Sequence, residues 1–260
     1  MRLTLFFLTC IVCSVCSQAQ TPARKWGVSV GYGPSLPTGD FIKTAPEKSI
    51  ARSEYGNQHH YVSGFPKDGN SAALKGTSAL LRINYGLHRT WTANLKIGYT
   101  ANPVNTLPAT DYANDWIAGV NPNQTLTFIQ DDYQVLTLSF GGSYNFRLKK
   151  FAFSVSPNIG LGVLVAPEYT LKMQVQNFPT AALFIYRIDE NKINSPVFGI
   201  DGAIFYDVGS RFYFGLAGNY SHADFAYEWT MRAPGLDTSF GTDEVTYRTV
   251  QLTAQLGFRF

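Results

Sequence analysis

Eight segments of this chain alternate apolar and polar side chains with a period of two, and that alternation restricts the fold more than any other feature. Successive side chains on a β-strand point to opposite faces, so each segment reads as a strand with one greasy and one polar face. Trp26, Val28, Val30 and Tyr32 oppose Gly27, Ser29, Gly31 and Gly33. Leu81, Ile83, Tyr85 and Leu87 oppose Arg82, Asn84 and Gly86, and Trp91 to Tyr99 alternates in the same way against Asn94, Lys96 and Gly98. Further segments start at Leu136, Phe151, Phe198 and Phe212, and the last, Val250 to Phe260, is the most regular.

A soluble β-sandwich also alternates, so three further patterns decide. Glycines gather on the polar face (Gly27, Gly31, Gly98, Gly141, Gly160, Gly162, Gly199, Gly215, Gly257), where a narrow barrel needs small residues inside. Connections alternate in length: 88–90, 148–150 and 209–211 are short, whereas 35–77, 101–132, 167–196 and 222–246 are long. Aromatics lie at both ends of the greasy face: Trp26, Trp91, Phe146, Phe151, Phe212 and Phe260 beside the short turns, Tyr32, Tyr99 and Tyr220 at the other end. Such girdles mark the two boundaries of a membrane. The expected fold is all-β: an eight-stranded antiparallel up-and-down transmembrane β-barrel with short periplasmic turns and long extracellular loops.

Composition agrees. Charged residues make up only 15%, against roughly 25% in soluble domains. A net charge of +3 excludes nucleic acid as an expected partner. Arg2 followed by the apolar run Leu3 to Val15 and by Ser17-Gln18-Ala19 reads as a signal peptide over residues 1–19, leaving 20–260 as the barrel domain. The run is too short to cross the bilayer as a helix, which takes roughly 20 residues. Cys10, Cys13 and Cys16 all fall in that leader, so the mature chain is expected to carry no disulfide and no thiolate metal site.

Two stretches carry a family resemblance. Leu256, Phe258 and Phe260 sit at every second position up to the C-terminus and resemble the C-terminal signal by which outer-membrane barrels are recognised for assembly. Gly27-Val28-Ser29-Val30-Gly31 through Pro37-Thr38-Gly39-Asp40-Phe41 resembles small outer-membrane β-barrel proteins of the Bacteroidota, and the whole mature chain is similar to the OmpA/OmpX-type architecture, with longer loops. The resemblance implies destination, with outer-membrane lipids, lipopolysaccharide and the barrel-assembly machinery as partners. It implies no activity, because this superfold carries many.

Candidate chemistry is sparse. Arg82, Lys96 and Asp201 are expected to point into the lumen at comparable heights, with Asp207 nearer the short turns. Charges in a narrow interior must pair to offset desolvation, so these four are read as a structural ion-pair network and not as the lining of an open pore. Ser221-His222 is the sole adjacent Ser/His pair, but neighbours on a strand face opposite ways and cannot share a proton; Asp224 and Glu228 are the other candidate partners for the histidine. The pairs Asp131-Asp132, Asp189-Glu190 and Asp243-Glu244 lack calcium-loop spacing, and neither metal nor cofactor is expected.

The long loops hold two more alternations. Tyr169 to Val175 and Ala182 to Tyr186 are expected to form a projecting hairpin. Phe225, Tyr227, Trp229 and Met231 run out of phase with Tyr220, which implies a bulge between Ser221 and Asp224. The hairpins either offer an edge to a partner strand or pair with each other. The functional expectation is a monomeric, non-enzymatic barrel whose loops serve binding or envelope stability. The competing readings are an accessory barrel of a secretion or transport assembly and, third, a lipid A-modifying enzyme.

Overall fold

The computed structural model describes residues 26–44, 50–55, 58–63, 71–119, 122–175, 178–188, 190–232 and 239–260. The expected leader lies outside them.

Eight strands close on themselves. They are β1 (Trp26–Pro37), β4 (Gly76–Gly86), β5 (Trp91–Asn102), β7 (Tyr133–Leu148), β8 (Phe151–Ala166), β11 (Asn191–Val208), β12 (Phe212–Arg232) and β13 (Ser239–Arg259), each antiparallel to the next. The circle closes where β1 pairs with β13, from Gly27 opposite Arg259 to Pro37 opposite Thr249. Closure leaves no free edge in the barrel wall.

The greasy faces point outward. Both sets of aromatics are exposed, from Trp26, Trp91, Phe212 and Phe260 at the short-turn end to Tyr32, Tyr99 and Tyr220 at the other, with Phe140, Leu216 and Leu256 between them. The eight residues separating Phe212 from Tyr220 span about 20–25 Å of height on a tilted strand, close to the apolar band of an outer membrane. The inward face is polar and narrow. A Cβ on Gly257 would come within 2.0 Å of the Tyr213 ring, so this glycine lets the tyrosine lie across the lumen.

Several strands continue past the upper girdle and build a lobe over the long-loop mouth. There the hairpin β9 (Tyr169–Val175) and β10 (Phe178–Ile188) forms, and β10 joins β12 through Arg187 opposite Arg232 and Ile188 opposite Met231. The two hairpins therefore pair with each other. The other edge of β9 is covered by β6 (Gln124–Gln130). A small separate hairpin, β2 (Ile50–Tyr55) with β3 (Gln58–Ser63), lies in the first long connection and includes His59 and His60.

The bulge expected near Ser221 to Asp224 is absent: β12 pairs with β13 in unbroken register from Phe212 to Met231. What changes at that height is the surroundings. Below it the outside is apolar and the inside polar; above it the inside becomes a dry core, so Phe225 on the inward face is fully buried. The irregular register in this region lies instead between β9 and β10, at Phe178 to Phe184.

Helix α1 (Leu107–Ala118) packs on β6 and caps its free edge. Asn114 accepts from the Leu126 N–H at 2.7 Å and donates to the Leu126 carbonyl at 2.9 Å, while Thr110, one turn earlier, accepts from the Phe128 N–H at 3.3 Å. These side chains occupy the positions an added strand would take. Asn114→Ala is expected to weaken the β6 edge by about 1–2 kcal/mol. Faster hydrogen exchange at the Leu126 amide, with barrel amides unchanged, is the measurement that checks it.

Candidate functional site

The interior divides into three levels. At mid-height, β4, β5 and β11 bring Arg82, Lys96 and Asp201 together, all almost fully buried. The Arg82 guanidinium donates to Asp201 at 3.0 Å and the Lys96 ammonium to both its oxygens at 2.9 Å. Asn158 donates to the same carboxylate at 3.4 Å, and Asn219 donates to its other oxygen. One carboxylate thus serves two cations and two amides, which offsets the desolvation of a charge in a low-dielectric interior. Two cations facing one anion leave this layer with a surplus positive charge. Below it Asn94 donates to Ser143 at 2.8 Å and Ser156 at 2.9 Å. The void beside the charged layer measures about 10 Å³, at most the room of one water.

Asp207 stands apart from that cluster. It lies near the short turns, where Arg259 donates to it at 2.6 Å and Arg147 approaches within 3.4 Å. Arg259 also stacks on Tyr213, 4.5 Å from the ring centre. The four charges grouped by the sequence reading are therefore two networks. Around Asp207 and Arg259 opens a cavity of about 670 Å³ at the short-turn end.

The third level is an apolar plug. Gly39 has a φ of +59°, a left-handed conformation that glycine adopts without strain, and it begins a short 3-10 turn over Gly39–Phe41. The turn swings Phe41 into the mouth, where it is fully buried. Its ring lies 5.4 Å from Tyr133 and 5.3 Å from Tyr247. Val135, Leu164, Val197 and Phe225 belong to the same buried cluster, which runs on to Leu126, Phe128 and Tyr169 in the lobe. Tyr247 joins the two chemistries: its ring packs in the plug while its hydroxyl meets Thr100 and Thr249 at 3.0 Å and Gln251 at 3.3 Å. At the rim, the Lys43 ammonium beside Asp40 holds that carboxyl below its ordinary range, with Arg248 adding to the effect.

Ser221 and His222 lie on opposite faces of β12. Ser221 is buried and donates to Asn219 at 2.6 Å, whereas His222 sits outside, 3.4 Å from the Arg248 Nε and 3.5 Å from Asp224. Glu228 engages through its backbone, its carbonyl accepting from Asn191 at 2.6 Å. Among the described residues no group of acids and histidines could hold a metal ion. Leu256 and Phe260 are exposed on the outer face beside the β1–β13 closure, and Phe258 packs between Phe212, at 5.0 Å, and Phe260, at 5.9 Å.

This geometry defines the class: a closed eight-stranded β-barrel, greasy outside, filled with polar groups, basic at one mouth and capped by a folded lobe at the other. No family model matches the sequence, and no curated protein matches it significantly. Solved structures with a similar course include Neisserial surface protein A, at 8% identity and a TM-score of 0.45, covering 92% of this chain and 98% of that one. A major outer membrane protein from Thermus thermophilus matches at 11% and 0.46, covering 91% and 98%. The outer membrane protein OprG from Pseudomonas aeruginosa matches at 13% and 0.42, covering 92% and 97%. Identities this low say nothing about activity or partner.

Proposed function

We propose that the protein is a monomeric, non-enzymatic barrel of a bacterial outer membrane that holds its long-loop lobe at the cell surface for binding or envelope stability. The single observation that carries this reading is the pairing of an exposed apolar belt, bounded by aromatic girdles, with an interior that is filled at mid-height and plugged above. A chain built this way offers lipid its outer wall and solvent its lobe, and leaves no passage for a solute. The leader over residues 1–19 directs export, and Leu256, Phe258 and Phe260 serve recognition by the assembly machinery. Short turns then face the periplasm, and the lobe meets lipopolysaccharide and whatever lies beyond it.

The capped edge of β6 bears on the choice between autonomous and accessory roles. With Thr110 and Asn114 occupying that edge, strand addition there is disfavoured, and the lobe recognises partners through side-chain surfaces. Affinity capture of a tagged copy from gently solubilised outer membrane tests the reading. Recovery of the barrel alone is expected; a stoichiometric protein partner would move it to the accessory class, and a changed lipid A mass on overexpression would mark an enzyme.

The belt makes its own prediction. Leu216 lies midway between Phe212 and Tyr220 and is 70% exposed. Leu216→Arg is expected to cost about 2–4 kcal/mol of folding stability in a bilayer, as charges do at the midplane of barrel walls. Urea titration of protein folded into vesicles reads this directly; a neutral effect would place Leu216 in water.

A further inference from the structure

The short-turn end of the barrel is predominantly basic. Among the described side chains its turns and strand ends carry Arg89, Arg147, Lys149, Lys150, Arg211 and Arg259, against the single carboxylate of Asp207. Most of these groups are exposed on the rim, and several also border the cavity beneath it. The 670 Å³ cavity is lined by Arg82, Arg89, Arg147, Lys149, Lys150 and Arg259, with the Lys150 ammonium turned 5.9 Å over the Tyr206 ring of the outer face, and by Asp207 as its one acid.

That acid is already engaged, held by Arg259 at 2.6 Å and approached by Arg147 at 3.4 Å. Among the described residues no carboxylate lies within ion-pair reach of Arg89, Lys149 or Lys150. Asp201, the next acid inward, is shared by Arg82 and Lys96. Arg82 lines both the cavity and the small void above it, so it stands at the inner boundary of the recess. Its side chain is almost fully buried, yet its Nε has no hydrogen-bond partner. Like charges in a recess with low-dielectric walls concentrate a positive field and raise the local concentration of anions. Guanidinium forks and ammonium groups together match the oxygens of a phosphate.

We propose that this vestibule is a binding site for a multivalent phosphate-bearing anion, either a soluble polyphosphorylated molecule or the headgroup of an anionic phospholipid. The site lies at the opposite end from the lobe and does not depend on what the lobe binds.

The test uses the whole barrel purified in an uncharged detergent, with tripolyphosphate as the soluble probe in isothermal titration calorimetry. Saturable binding is expected. The variant Arg89→Gln/Lys149→Gln/Lys150→Gln is expected to weaken it by about tenfold or more, as loss of several charge-assisted hydrogen bonds should. Lys75→Gln/Lys172→Gln/Lys192→Gln, which removes the same charge at the lobe end, is expected to leave affinity within about twofold. Unboiled electrophoretic mobility confirms that each variant is folded. In a second arm, the barrel in phosphatidylcholine nanodiscs containing some phosphatidylglycerol is released and weighed by native mass spectrometry. Retention of phosphatidylglycerol that the vestibule variant loses, without tripolyphosphate binding, assigns the phosphate to a lipid headgroup. Binding of neither probe, or equal losses in the two variants, overturns the proposal.

Discussion

Asp201→Asn is expected to lower the stability of the barrel by about 3–5 kcal/mol, the range found when one partner of a buried ion pair is removed. The substitution keeps size and shape but leaves Arg82 and Lys96 facing each other with no counter-charge, at 3% and 6% side-chain exposure. Lys96 has beside it only a void of about 10 Å³, and Arg82, which borders the short-turn cavity, keeps its side chain almost wholly buried against Asp201. Urea unfolding of protein folded into phosphatidylcholine vesicles measures the loss. The triple variant Arg82→Met/Lys96→Met/Asp201→Asn is expected to recover most of it, since a buried charge cluster replaced by apolar groups of similar size is often neutral or better. In the triple variant the new amide on β11 still offers a partner to Asn158 and Asn219. A single variant as stable as the parent would mean that water reaches this layer.

Phe41→Ala is expected to cost about 3–5 kcal/mol, the usual penalty for emptying a fully buried phenylalanine site. The loss should be local. Phe41 packs against Tyr133 and Tyr247 above the girdle, and the eight-strand wall beneath does not depend on it. The unboiled barrel should therefore keep its compact mobility on gels while the first long connection becomes sensitive to protease. Gly39→Ala should act in the same direction and more weakly, by roughly 1 kcal/mol, because a side chain resists the left-handed turn that delivers Phe41. Global unfolding in Phe41→Ala would show that lobe and barrel form one cooperative unit.

The barrel was legible in the sequence because two solvents impose the pattern. Lipid demands apolar residues outside, and a lumen of eight strands demands glycine and small polar residues inside, so Trp91 to Tyr99 or Val250 to Phe260 can be read directly. Above the girdle that logic inverts. Phe225 follows the inward phase of Ser221 and Ala223, and reading it as outward required a bulge that does not exist. The alternation was real; the side that water occupies had changed.

Helix α1 and strand β6 left fainter marks. Leu107-Pro108-Ala109 fits a helix start, and Leu126 and Phe128 alternate over only two positions. Their union depends on Asn114 reaching Leu126, a contact that needs the folded loop. The seating of Phe41 was equally hidden, because Thr38-Gly39-Asp40 announces a turn without saying where it points.

The charged interior was partly legible. The inward phase of Arg82, Lys96, Asp201 and Asp207 follows from alternation, but their partners are set by strand tilt and register across long stretches of sequence, as between Arg82 and Asp201, 119 residues apart. Asp207 and Arg259 both lie near the short-turn end on inward positions of β11 and β13, which flank β12. Reading heights on all eight strands together would have paired them.

The most direct test of the central claim is electrophoresis of the protein from isolated membranes, with and without boiling. A closed, lipid-embedded barrel is predicted to sediment with the outer-membrane fraction and to migrate faster unboiled than boiled, because detergent leaves the hydrogen-bonded wall intact until heat opens it. Recovery in the soluble fraction, with identical mobility before and after boiling, would contradict the account.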